Sequence, residues 1–87
     1  MKIYTIEYSE IFKKDFKKIR SDHILQKRFQ NKINEIVQNP FRYKSLRNVL
    51  KNLRRVHIGN FVLIFEVSED ERKIILHSLK HHDRAYK

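Results

Sequence analysis

The chain has 87 residues, 40% of them apolar, enough for one domain around one core; it holds no cysteine, which excludes disulfide staples and thiolate metal sites. Twenty Lys and Arg against ten Asp and Glu leave a formal net charge of +10, which points to a polyanionic partner, with RNA, DNA or ribosomes ahead of membranes. The apolar runs are too short to cross a bilayer and no signal-peptide pattern follows Met1, so a cytoplasmic location is expected.

In chain order, Lys2 to Tyr8 is rich in β-branched and aromatic residues and predicts a strand. Ser9 can then cap a helix whose apolar positions Phe12, Phe16 and Ile19 share one face. A break falls near Arg20 to Asp22, where Ser21 or Asp22 can cap a second helix. Leu25, Phe29, Ile33, Ile36 and Val37 form its apolar stripe, and Pro40 ends it. So short a connection predicts an antiparallel helical hairpin laid on a sheet.

The strands follow an irregular basic connection. From Leu53 to Ile58 the residues alternate, with Leu53, Arg55 and His57 on one side and Arg54, Val56 and Ile58 on the other. Gly59 and Asn60 suit a tight hairpin turn into Phe61 to Val67, which is apolar on both faces until Glu66 and so predicts a central strand. A polar turn, Ser68 to Arg72, leads to a final strand from Lys73 to Leu79 and a basic tail, KHHDRAYK. The expected fold is α+β: an N-terminal strand, a helical hairpin, then a mainly antiparallel three-strand meander completing a curved four-stranded sheet.

Charge is concentrated where the strands begin. No Asp or Glu occurs between Ile36 and Phe65, whereas Arg42, Lys44, Arg47, Lys51, Arg54, Arg55 and His57 all do. If the helices cover the face bearing Val56 and Ile58, Arg55 and His57 face the open side. His81, His82, Arg84 and Tyr86 can join them from the end of the last strand. Guanidinium groups for phosphate oxygens, imidazoles that titrate near neutrality and a ring that stacks on a base are ingredients for RNA binding and for RNA cleavage.

The basic strand, Gly59, Phe61, the stretch LIFEV, a further strand and the closing HDRAY resemble the RelE/ParE superfamily of toxin–antitoxin toxins, in particular the RelE-like mRNA interferases. The resemblance spans residues 1–87 as a single toxin domain. It implies ribosome-dependent cleavage of mRNA in the A site by attack of a ribose 2′-hydroxyl, with no metal or cofactor. The implied partners are mRNA, the ribosome and a cognate RelB-like antitoxin in a hetero-oligomeric complex. On this resemblance Arg55 is the phosphate clamp, His82 the general acid, Tyr86 the base-stacking group and Lys51 or His57 the base-side candidate. Arg47, Arg54, His57 and Arg84 are expected to bind RNA phosphates. Two positions depart from the family pattern, Val62 and His82, each standing where relatives carry arginine. The alternatives are a ParE-like inhibitor of DNA gyrase and a non-catalytic basic RNA- or ribosome-binding module.

Overall fold

The computed structural model describes residues 4–46 and 52–83, in the order β1 (Thr5–Tyr8), α1 (Glu10–Lys17), α2 (His23–Gln38), a 3-10 turn (Pro40–Arg42), β2 (Leu53–Ile58), β3 (Phe61–Ser68) and β4 (Lys73–His81). The sheet order is β1-β4-β3-β2, with β2, β3 and β4 an antiparallel meander and β1 parallel to β4 at the far edge. The α+β architecture expected from the sequence is the one observed.

Local chemistry fixes the helix starts. Ser9 Oγ accepts from the Phe12 amide at 3.0 Å and donates to the His77 carbonyl at 2.9 Å, so one hydroxyl caps α1 and ties it to β4. At α2 the cap is Asp22, whose Oδ1 accepts from the Leu25 amide at 3.0 Å. Helix α1 stops at Lys17, so Ile19 reaches the core from the turn after the helix, not from its last turn. The two helices meet through aromatic rings: Phe29 lies 5.6 Å from Phe12 and 5.0 Å from Phe16, centroid to centroid. Beneath them pack Ile33, Ile36, Ile58, Leu63, Phe65, Ile74, Leu76 and Leu79.

Strand β4 runs two residues further than the sequence pattern predicts, and it is not regular. Ile64 pairs with Ser78 but Phe65 pairs with Leu76, leaving His77 as the extra residue of a bulge. Strict alternation would put Leu79 on the face of Ile75 and His77. The bulge resets the phase, so Ile74, Leu76 and Leu79 are all buried on the helix side.

Beyond Leu76 strand β1 no longer pairs with β4, and α1 takes over the edge. The Leu79 amide donates to Asp15 Oδ2 at 2.9 Å, and the Lys80 ammonium donates to Asp15 Oδ1 at 2.8 Å. Asp15 is only 4% exposed. Its burial is tolerable because it both satisfies an amide the sheet leaves unpaired and holds a counter-ion.

Candidate nucleic-acid interface

Register assigns the two faces of the sheet. Ile58 pairs with Phe61, Val56 with Leu63 and Arg54 with Phe65, and these rows carry the helix-side packing. The opposite face is built from the alternate rows: His57, Val62 and Lys80, then Arg55, Ile64 and Ser78, then Leu53, Glu66 and Ile75. Arg55 and His57 therefore share the face turned away from the helices, as their alternation predicts.

The position of Arg55 is fixed by pairing on both sides of β2. On one side its register partner in β3 is Ile64. On the other, its amide donates to the Lys44 carbonyl at 3.1 Å, while the Leu46 amide donates to the Leu53 carbonyl at 2.8 Å. Chain between the helices and the sheet thus pairs with this edge over Leu53–Arg55.

Arg54 sits elsewhere. On the helix-side face, its Nη1 donates to the Tyr43 carbonyl at 2.7 Å and its guanidinium carbon lies 5.1 Å from the Phe41 ring centroid. It staples the loop after α2 to the sheet. Adjacent arginines thus have different surroundings, and Arg55, not Arg54, belongs to the open face.

Just past the end of β4, His82 sits at the rim of the sheet with its ring 4.7 Å from that of His81. Its amide donates to the Asn60 carbonyl at 2.8 Å, which places it opposite the β2–β3 turn, one row beyond His57, Val62 and Lys80. Arg55 lies four residues from that turn along the ladder, roughly 13 Å at a strand rise of about 3.3 Å. His57 stands between them in register, in the same row as Lys80, while the titratable groups nearest His82 are its neighbours His81 and Asp83. His81, by contrast, pairs with Phe61 and presents its ring edge-on to it at 5.7 Å, on the helix side, so it does not join Arg55 and His57 as the sequence reading expects. The reason is the bulge at His77, which inverts the facing of every residue after it.

Val62 is fully buried in the middle of the open-face row, flanked by His57 and Lys80. A histidine and a lysine therefore bracket the position at which an arginine was expected, although the Lys80 ammonium is turned to Asp15. Further along the same face, His77 Nε2 lies 2.9 Å from Glu66 Oε1, a pair that locally offsets the basic character. Lys51, Arg47, Arg84 and Tyr86 lie outside the described residues. Sequence reasoning missed Asp15, Lys80 and Asp83. Asp15 could have been flagged as an acid on the apolar side of α1, one position before Phe16; the other two depend on the bulged register.

Comparison with known proteins agrees with this architecture. The family described as the ParE toxin of the type II toxin–antitoxin system, parDE, matches residues 6–86. A Methanocaldococcus jannaschii chain whose name proposes it to be a toxin, RelE4, is 39% identical over 87 residues, covering 98% of this chain and 93% of its own. Among solved structures, the RelBE2 toxin–antitoxin complex from Mycobacterium tuberculosis superposes with a TM-score of 0.77 at 19% identity, covering 91% of this chain and 98% of the other. The Escherichia coli DinJ–YafQ toxin–antitoxin complex gives 0.77 at 18% identity, covering 97% and 98%. Family match, close relative and fold coincide over nearly the whole chain, and the protein belongs to the ParE toxin family of type II toxin–antitoxin systems, within the RelE/ParE superfamily.

Proposed function

We propose that this toxin is an endoribonuclease that cuts mRNA on the ribosome, and that the open face of the sheet is where it does so. The observation that carries the reading is the placement of Arg55 and His57 together on the face turned away from the helices, with His82 on the segment paired to the adjacent turn. Cleavage by a ribose 2′-hydroxyl needs three things: the hydroxyl deprotonated, the extra charge on phosphorus stabilised and the 5′-oxygen protonated. Arg55 is the phosphate clamp, His57 or Lys51 the base-side group and His82 the proton donor, with Tyr86 stacking on the base. Imidazole suits the donor role near neutrality better than guanidinium, which holds its proton above pH ~12. The ribosome supplies the positioning, so a site with one arginine fewer than expected can still act.

The same face is also where an acidic antitoxin segment would neutralise the toxin in the cytoplasm, in a hetero-oligomeric complex. Apolar contact is offered separately by a groove of about 460 Å³ between α1 and α2, lined by Tyr8, Phe12, Phe16 and Phe29. Tyr8 stays 48% exposed there.

Val62 favours a second reading, inhibition of DNA gyrase, because a buried valine at that position supplies nothing to a phosphorane and a gyrase inhibitor needs no nuclease group. Inducing the toxin in cells, then mapping transcript 5′ ends alongside plasmid supercoiling, separates the two. New 5′ ends within codons with intact DNA support the nuclease; DNA breaks with intact transcripts support the gyrase reading. Neither effect would leave a non-catalytic binding module.

A further inference from the structure

We infer that His81, His82 and Asp83 form a binding site for a first-row divalent metal ion of the kind imidazole prefers, such as Zn2+ or Cu2+. The donor atoms of the three side chains all lie within 4.8 Å of one another. His82 Nε2 is 3.0 Å from Asp83 Oδ1 and His81 Nδ1 is 3.4 Å from Asp83 Oδ2, so one carboxylate faces both rings.

Backbone contacts decide what those nitrogens present. His82 Nδ1 lies 3.3 Å from the Asn60 carbonyl oxygen, which accepts only, so in the neutral ring the proton belongs on Nδ1 and Nε2 carries a lone pair. For His81 the Asp83 amide donates toward Nδ1 at 3.4 Å, again favouring a lone pair on the nitrogen that faces the carboxylate. In those neutral tautomers the two ring nitrogens and the carboxylate are all acceptors, an arrangement that a cation, whether a proton or a metal ion, stabilises. A ring whose remote N–H is held by a backbone carbonyl is the usual support for a metal-ligating histidine, because it fixes both tautomer and ring orientation. The frame is also anchored: His82 by its amide to Asn60, and the His81 ring against Phe61. Two imidazoles and a carboxylate suit Zn2+, Cu2+ or Ni2+ and not Mg2+ or Ca2+, which favour all-oxygen shells. All three residues are partly exposed, so ligand entry needs no opening of the fold.

A bound ion would withdraw the His82 lone pair and proton from chemistry. This consequence rests on the nuclease reading; the site itself does not. The ion would thus restrain the toxin and not serve its reaction.

The test is calorimetric titration of the untagged full-length toxin with ZnCl2, in parallel with His81→Gln and Asp83→Asn, each variant checked for an unchanged melting profile without metal. The expected result is one ion per chain in the wild type, with affinity reduced about tenfold or more in both variants and no response to MgCl2. Equal affinity in the variants, or no heat with Zn2+ or Cu2+, would overturn the assignment. Cleavage of mRNA on programmed ribosomes, measured with and without Zn2+, separates the two claims: binding without any cleavage keeps the site and removes the nuclease reading.

Discussion

Arg54 and Arg55 are neighbours in sequence with opposite surroundings, and the difference is testable one residue at a time. Arg54→Ala should loosen the loop after α2, losing a charged hydrogen bond and a ring contact worth together about 1.5–3 kcal/mol, read as a lowered Tm. Arg55→Ala should instead lower both RNA affinity and cleavage with little change in Tm, because a phosphate clamp acts in the ground state and the transition state alike. His82→Ala should reduce cleavage by about tenfold or more while leaving antitoxin affinity nearly unchanged. His77 is the control. Its bond to Glu66 is structural, so His77→Ala should shift Tm and leave cleavage alone. Alternation along β2 was enough to place Arg55 and His57, since period-two facing needs no tertiary information. The role of Arg54 was not legible, because it depends on where the Phe41–Tyr43 loop folds back.

At the scale of elements, the helix caps and strands could be read from turn chemistry, whereas the bulge in β4 could not. Its signal is the broken alternation around His77 and Ser78, which sequence alone cannot distinguish from a strand end. From it follow the burial of Leu79, the facing of Lys80 and the helix-side placement of His81. The Asp15 contact at this edge predicts that Asp15→Ala, by orphaning the Leu79 amide and the Lys80 ammonium, costs about 1–3 kcal/mol or more. For a domain of this size that is roughly 4–8 °C of Tm per kcal/mol, measurable by thermal unfolding. The loop after α2 carries a pH signature. Burial, reinforced by the Glu35 carboxylate, raises the Tyr43 phenol above its usual value of 10.0. The folded state then holds that proton more tightly than the unfolded state, so its stability contribution is complete below about pH 10 and is lost as pH rises through the folded value. Tyr43→Phe should flatten the alkaline arm of the stability curve measured by urea unfolding.

For the molecule as a whole, a charge of +10 points toward acidic partners without naming the target. Association with an acidic antitoxin should slow markedly as salt rises while dissociation changes little, a contrast measurable by surface plasmon resonance. The arrangement of strand, helical hairpin and meander was legible because each element has a local signature and the connections are short. The target was not, because Val62 and His82 depart from the expected arginines at the positions that would distinguish one toxin chemistry from another. The central claim, that the open face of the sheet cuts mRNA, is tested most directly by incubating purified toxin with programmed ribosomes and mapping 5′ ends on the bound message, wild type beside Arg55→Ala and His82→Ala. The account predicts discrete cuts by the wild type, reduced about tenfold or more in both variants while ribosome binding by His82→Ala persists. Intact message with the wild type, or undiminished cutting by both variants, would contradict it.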